Sequence, residues 1–406
     1  MLEKAFEQLD LIYPELVDIR RDLHMNPELS FKEERTPAFI AGYLKELGLE
    51  VKTKVGGNGV VGYLKGGKPG KTIALRADFD ALPIEDEKDV PFKSKVRGVM
   101  HACGHDIHTA ALLGAAKILS GMKEQIPGNV VFLHQHAEEL APGGAKSMVE
   151  DGCLDGVDEV YGAHVEVNYP IGQVAVNDGY VQAASDAFDI TINGKGGHAA
   201  EPHWCIDPLV IGSHLVVDLQ HIISRRVDPL QPALLTVGAF NSGNAHNVIP
   251  DKAYIKGTVR TYDKNVRLQI EEELKLIAGQ TAEKYRAAID VDYSKGYISL
   301  YNHPKETAFI KDLSKAIVGE ENVVVKPPDM GGEDFAYYVD AVPGSFFWVG
   351  GGNPEINAVY HHHHPKFDVD EKSMLIIGKI FISAVMNSNS EEFLKNTNNL
   401  AFNRVR

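Results

Sequence analysis

Alternation of short apolar runs with amphipathic stretches is the feature that most constrains the fold of this chain. The runs 59–64, 72–77, 129–134, 159–164 and 345–349 have strand length and are bounded by Gly, Pro or charged residues. Helical patterns such as 106–122 and 305–318 separate several of them. This rhythm predicts the α/β class, with a helix-covered sheet domain that carries helices on both faces. Residues 2–48 read as two helices, the second opened by Ser30 and Glu33 at the Ser-x-x-Glu spacing of a capping box.

Between 185 and 295 the rhythm breaks. A strand (188–193) and a helix (208–224) precede two strands (234–240, 253–261), a long helix (266–286) and a last strand (289–293). Strand-helix-strand-strand-helix-strand is the ferredoxin-like order of a small α+β domain. The expected organisation is a main domain in two parts, 1–184 and 296–406, with 185–295 inserted. A chain of 406 residues also exceeds the roughly 250–300 that one hydrophobic core organises. The last twenty residues are polar and Asn-rich, as in a frayed end.

Hydrophobic residues at 44% and charged residues at 24% are globular values that exclude a disordered or fibrous chain. The net charge of -15 opposes affinity for nucleic-acid phosphates and anionic membranes, so neither partner is expected. The first 24 residues mix charges through a helical pattern and lack the apolar stretch of a signal peptide. Three cysteines, Cys103, Cys153 and Cys205, are too few for a disulfide framework and suit a reduced, cytoplasmic compartment.

The densest chemical signal is His101-Ala102-Cys103-Gly104-His105-Asp106-Ile107-His108, just before a helix with apolar Ala110, Leu113 and Ala116. A thiolate near a helix N-terminus is favoured by the dipole, so Cys103 and His105 can share a metal. Glu138 and Glu139 follow the strand 129–134, and ends of strands are where open α/β sheets place ligands. Adjacent side chains diverge, so one carboxylate can bind metal while the other serves as general base. Two more strand ends supply His164 and the pair Asp78 and Asp80, which an Asp-Phe-Asp alternation puts on one face. Asp80 suits a carboxylate that orients a metal-bound His. Near the far end, one imidazole of His361-His362-His363-His364 is a candidate last ligand. Mixed S, N and O donors suit zinc, manganese or cobalt more than calcium or magnesium, and five ligands exceed what one tetrahedral ion needs.

With these motifs go Arg21-Asp22-Leu23-His24, Gly194-Lys195-Gly196-Gly197-His198, Asn247-Val248-Ile249-Pro250, Gly257-Thr258-Val259-Arg260, Gly332-Glu333-Asp334-Phe335 and His363-His364-Pro365-Lys366-Phe367. Together they resemble the aminoacylase and carboxypeptidase G metallopeptidase family over nearly the whole chain. The resemblance is to the branch with hippurate hydrolases, auxin-conjugate amidohydrolases and N-acetyldiaminopimelate deacetylases. It implies two divalent ions, manganese or zinc with cobalt or nickel as further candidates, Cys103 as the bridge and His105, Glu139, His164 and His363 as the other ligands. It also implies Glu138 as general base, His198 as a residue that stabilises the reacting carbonyl, and Asn247 and Arg260 as substrate-binding residues. The inserted domain resembles the family's lid and dimerisation domain, which implies a homodimer.

The reaction so implied is hydrolysis of the amide of a small N-acyl amino acid. A dipeptidase or exopeptidase of the same family and a catalytically silent metal-binding dimer are the rivals, and Glu138 beside Glu139 favours catalysis. Cys103 as a covalent nucleophile is disfavoured, because one Cys among metal-type side chains is better used as a ligand. Two departures from the family's pattern, His136 before Ala137-Glu138-Glu139 and Glu166 after His164-Val165, bear on the substrate's charge.

Overall fold

The structure is a computed structural model that describes residues 1–389; most of the polar, Asn-rich end lies outside the described residues. The chain divides into two compact units. One comprises Met1–Val181, Tyr301–Pro328 and the residues from Asp334 on, and the other Gln182–Leu300 with Asp329–Glu333. Among the described residues no helix is long and apolar enough to cross a membrane.

The first unit is built on an eight-stranded mixed sheet in the order Glu50–Val55, Gly59–Lys65, Pro127–Gln135, Lys68–Asp78, Glu159–Pro170, Gly344–Gly352, Val174–Val176 and Val323–Val325. Its four central strands, from Pro127–Gln135 to Gly344–Gly352, are parallel. They are buried on both faces, hence the apolar runs. The period of two sorts their side chains. Ile73, Leu75 and Ala77, with Tyr161, Ala163 and Val165, join the core under the long helices. Arg76, Asp78 and His164 have the opposite parity.

The helix His105–Gly121 runs through that core, and its residues 105–116 are all buried. Ala110, Ala111, Gly114 and Ala115 keep it slim enough for neighbours to close on every side; a Cβ on Gly114 would stand 2.9 Å from Leu16 Cδ1. Packed this way, the helix gives its N-terminal residues fixed positions.

The N-terminal region differs from expectation. It holds three helices, Leu2–Leu11, Tyr13–Met25 and Arg35–Glu46, and the Ser30/Glu33 spacing is no capping box. The third helix has no cap from its own N-cap residue Glu34; instead the Glu28 carboxylate accepts the N–H groups of Glu34, Arg35 and Thr36 at 2.8–3.0 Å, satisfying donors a helix start leaves free. Ser30 gives its hydroxyl to Asp80, and Glu33 accepts from the Ala137 N–H and the Asn58 amide. Both residues of the supposed box thus brace site loops.

The second unit carries a four-stranded antiparallel sheet in the order Ala233–Ser242, Lys252–Thr261, Ala184–Asn193, Ala288–Lys295. The helices Pro208–His221 and Lys264–Tyr285 start at Asp207 and Asp263, whose side chains accept the first free N–H groups. Phe188, Ile190 and Ile192 at strand spacing meet Ile211, Leu215 and Leu219 at helical spacing in its core. This is the βαββαβ order with the ferredoxin-like strand arrangement.

Candidate metal centre

Neighbouring parallel strands of the first unit end where the chemistry begins. Lys68–Asp78 delivers Asp78 and, two residues on, Asp80; Pro127–Gln135 leads into Glu138 and Glu139; Glu159–Pro170 carries His164. Cys103 and His105 meet them from the start of the buried helix. Gly104 between them is the N-cap, at φ 91°, and a Cβ there would lie 2.3 Å from Val165 Cγ1, so only glycine suits both the backbone and the space. His363 also has a left-handed backbone, φ 65°, and its N–H donates to the Ala102 carbonyl at 2.8 Å. Among the four consecutive histidines only this one meets Glu139: His361 is exposed, His362 donates to the Val165 carbonyl, and His364 stacks on Tyr360.

Two groups of candidate donor atoms share Cys103. Cys103, His105 and His164 form one, and Cys103, Glu139 and His363 the other, each with ligand atoms within 4.8 Å of one another. Cys103 Sγ lies 3.4 Å from His164 Nε2, and His363 Nε2 lies 3.4 Å from Glu139 Oε2. Glu138 Oε2 is 3.9 Å from His105 Nε2; it belongs to neither group that shares Cys103, but it joins His105 and Glu139 in a third cluster and is grouped with Asp334 in a fourth.

Hydrogen bonds fix which nitrogens face this cluster. His105 Nδ1 is 3.0 Å from the Asp80 carbonyl. A carbonyl only accepts, so the proton sits on Nδ1 and, in the neutral ring, Nε2 is a lone pair. The other oxygen of the Asp80 carboxylate takes the Glu139 N–H at 3.0 Å and the Ser30 hydroxyl at 2.7 Å. His105 Nε2 and Glu139 Oε1 are buried without a hydrogen-bond partner. Orphaned buried acceptors cost free energy, and a divalent cation would satisfy both, so the residues fit a metal.

Without a cation, the charges of the centre favour protons on His105 and Cys103, where a metal would take lone pairs. Burial opposes a charge on His105, but Asp78 and Asp80 outweigh it and push its pKa up to about 10. Burial, reinforced by Glu139, Glu138 and Asp78, pushes the Cys103 thiol well up. Without a cation, burial and these carboxylates outweigh the helix dipole expected to favour a Cys103 thiolate, and a bound metal would displace the thiol proton. Burial next to His108 and His362 holds His164 well below the ordinary histidine range, in the neutral form a metal needs. Burial works against ionised Asp80, yet His105, the Glu139 N–H and Ser30 keep its carboxyl below the usual value.

The other predicted residues belong to the second unit. His198 lies on the short strand Gly197–His198, paired with Val248–Ile249, and its Nδ1 accepts the Ala200 N–H at 3.0 Å. In the neutral ring the proton is therefore on Nε2. The Asn247 carbonyl accepts the Ala199 N–H at 3.1 Å, which brings Asn247 beside His198. Arg260, half-buried on Lys252–Thr261, pairs across the sheet with Ser185 and Leu234.

A buried polar network at the start of the long helix has no counterpart in the sequence reading. Arg20 Nε donates to Asp106 Oδ2 at 2.8 Å, and His24 Nδ1 lies 2.7 Å from the same oxygen. Lys88 Nζ is 2.8 Å from His24 Nε2 and from the Phe367 carbonyl, tying the helix start to the segment after His363. Of these residues His24, Asp106 and Phe367 lie in motifs singled out above, whereas Arg20 and Lys88 do not.

Parallel strands that carry His164 and lead into Glu139, met by Cys103 and His105 from a helix start, form a centre of the class that its relatives define, the metal-dependent amidohydrolases. The chain belongs to peptidase family M20/M25/M40, whose model matches residues 74–387. It is 49% identical to a Bacillus subtilis protein, YhaA, over 94% of this chain and 96% of the relative. It is 42% identical to the N-acetyl-L-cysteine deacetylase of Bacillus subtilis, over 90% of this chain and 86% of that protein. The crystal structure of Bacillus subtilis YXEP, described as a dinuclear metal binding peptidase of the M20 family, superposes with a TM-score of 0.80 at 34% identity, covering 93% of this chain and 98% of that one.

Proposed function

We propose that this protein is a dinuclear-metal enzyme that hydrolyses small N-acyl amino acids to a carboxylic acid and a free amino acid. The observation that carries the proposal is the sharing of Cys103 between two donor groups, with Glu138 beside them but in neither. Cys103 would bridge two ions, His105 and His164 completing one site, Glu139 and His363 the other. Manganese or zinc suits such a donor set. Bound there, the cations would polarise the scissile carbonyl and lower the pKa of an attacking water.

Glu138 would take the water's proton and return it to the leaving nitrogen. Asp80 would hold His105 in the right tautomer. His198, its Nδ1 engaged by the Ala200 N–H, would offer Nε2–H to the carbonyl oxygen as negative charge develops there. Asn247 and Arg260 would bind the substrate's amide and carboxylate. The acylated amino acid is supported by the deacetylase relative.

The second unit, in this proposal an inserted lid, would also make a homodimer. Its helix Pro208–His221 leaves Leu209, Val210 and Val217 exposed, and Ala233–Ser242 is an edge strand, a combination open to pairing. A cytoplasmic location suits a centre that depends on a reduced Cys103.

The test is hydrolysis of hippurate, N-acetyl amino acids, N-acetyldiaminopimelate and dipeptides, with metal content measured on the same sample. Turnover of acyl amino acids with about two ions per chain is expected. Turnover confined to dipeptides would favour an exopeptidase instead, and metal without turnover of any of them a silent binding protein.

A further inference from the structure

His108 lies one turn into the helix His105–Gly121, and none of the roles above uses it. Its ring is fully engaged: Nδ1 is 2.7 Å from Asp78 Oδ1, and Nε2 is 2.9 Å from the backbone nitrogen of Val165. An amide N–H only donates, so Nε2 must accept and the proton must sit on Nδ1, donated to Asp78. Asp78 is anchored in turn. Arg76 Nη1 donates to its Oδ2 at 2.8 Å, and its carbonyl accepts the Thr109 hydroxyl at 2.7 Å.

Val165 follows His164, and its carbonyl lies 2.7 Å from His164 Nδ1. A carbonyl cannot donate, so His164 is protonated on Nδ1 and aims a lone pair from Nε2 towards Cys103 Sγ, 3.4 Å away. His362 Nε2 is 3.0 Å from the same carbonyl. Val165 is thus a node: His108 grips its N–H, and its C=O orients His164. The rings of His108 and His164 also meet edge to face, with centroids 4.6 Å apart.

We infer that Asp78 and His108 are positioning residues that clamp the Val165 backbone, so that its carbonyl holds His164 in the Nδ1–H tautomer with Nε2 presented beside Cys103. Asp78, His105 and His108 are close enough to be considered a cation site themselves. Both nitrogens of His108 are already committed, however, one to a carboxylate and one to an N–H donor, which favours the clamp. The inference rests on His164 being a ligand, as proposed above.

The test compares the metal-free full-length protein with His108→Asn and His108→Gln. The Asn amide can still donate to Asp78 but offers Val165 no acceptor; the Gln oxygen reaches the place of Nε2. Nitrogen-15 spectra of labelled histidine, with His164→Gln to assign the signal, read the tautomer directly. Zinc titration against a chromophoric chelator reads affinity, and thermal melts of the metal-free forms check the fold.

In the parent and in His108→Gln, His164 should be the Nδ1–H tautomer. In His108→Asn it should become a mixture, with zinc affinity at one site reduced about 10–100-fold. An unchanged tautomer with unchanged affinities in a folded His108→Asn overturns the clamp. Should that variant not fold, His108→Gln still decides: a changed tautomer, despite the retained acceptor, overturns it. His164→Gln with undiminished zinc stoichiometry would overturn the ligand assignment alone, and the tautomer comparison would still judge the clamp.

Discussion

Asp80 binds His105 on one side and the backbone of Glu139 on the other: its carbonyl and Oδ1 face His105 Nδ1, while Oδ2 takes the Glu139 N–H. One buried carboxylate therefore sets the tautomer of one proposed ligand and the backbone position of another. In the proposed centre Cys103 would be shared by the two metal sites, and Asp80 would support a ligand of each.

Asp80→Ala should accordingly weaken both sites. Removal of a partner that orients a metal ligand typically costs 10–100-fold in affinity, and here two segments lose their tether. Competition with a chelator should show both binding steps shifted by at least about 10-fold; a shift in only one step would mean that the Glu139 contact is incidental.

Glu138→Ala should keep its metal and lose turnover. The carboxylate stands 3.9 Å from His105 Nε2 but outside the two groups that share Cys103. General-base removal typically lowers kcat about 10²–10⁴-fold. Metal content and kcat are the two measurements, and loss of an ion in this variant would reassign Glu138 as a ligand.

Gly104→Ala tests the turn that joins Cys103 to His105. The substitution meets a left-handed φ of 91° and a clash at 2.3 Å with Val165 Cγ1. A cost of about 1–3 kcal/mol from backbone strain alone, plus displacement of the Val165 segment, should lower both the melting temperature and zinc affinity. An unchanged melt would show that the turn is soft.

Acid stability should depend on His134. Fully buried in a central strand, with neither ring nitrogen hydrogen-bonded, it is held by burial at a pKa of about 3. The unfolded chain takes a proton on this residue near pH 6.5 and the folded chain does not. Its contribution is thus fully present above pH 6.5 and is lost as pH falls towards 3, at about 1.4 kcal/mol per pH unit. His134→Leu should shrink the stability difference between pH 6.5 and pH 5 by about 2 kcal/mol, as read from denaturant melts at the two pH values. An equally steep loss in the variant would place the acid sensitivity elsewhere.

Much of the centre was legible in the chain because Glu139 follows a strand, His164 lies on one and Cys103 and His105 sit at a helix start, positions that apolar periodicity locates. Cys103, His105, Glu139, His164 and His363 were named on that basis with the help of the family resemblance, and folding draws them together. The N-terminal helices were misread for a physical reason: Ser30 and Glu33 have the spacing of a local cap, yet each finds a stronger partner far along the chain, Asp80 and Ala137, and Glu28 takes over the capping. His108 and Asp78 stood in plain view inside the motifs, but nothing in the spacing says that an imidazole will grip the Val165 N–H.

The sequence by itself determined the α/β alternation, the interrupting βαββαβ stretch and the donor types, because burial period and ligand chemistry are local properties. Only the tertiary structure decided which nitrogens of His105 and His164 face the cluster, that burial and nearby carboxylates push the Cys103 thiol up, and that one aspartate braces two ligand segments. Those outcomes belong to a centre whose partners are as distant in sequence as Glu139 and His363, and to a low-dielectric interior that makes each unpaired donor or acceptor costly.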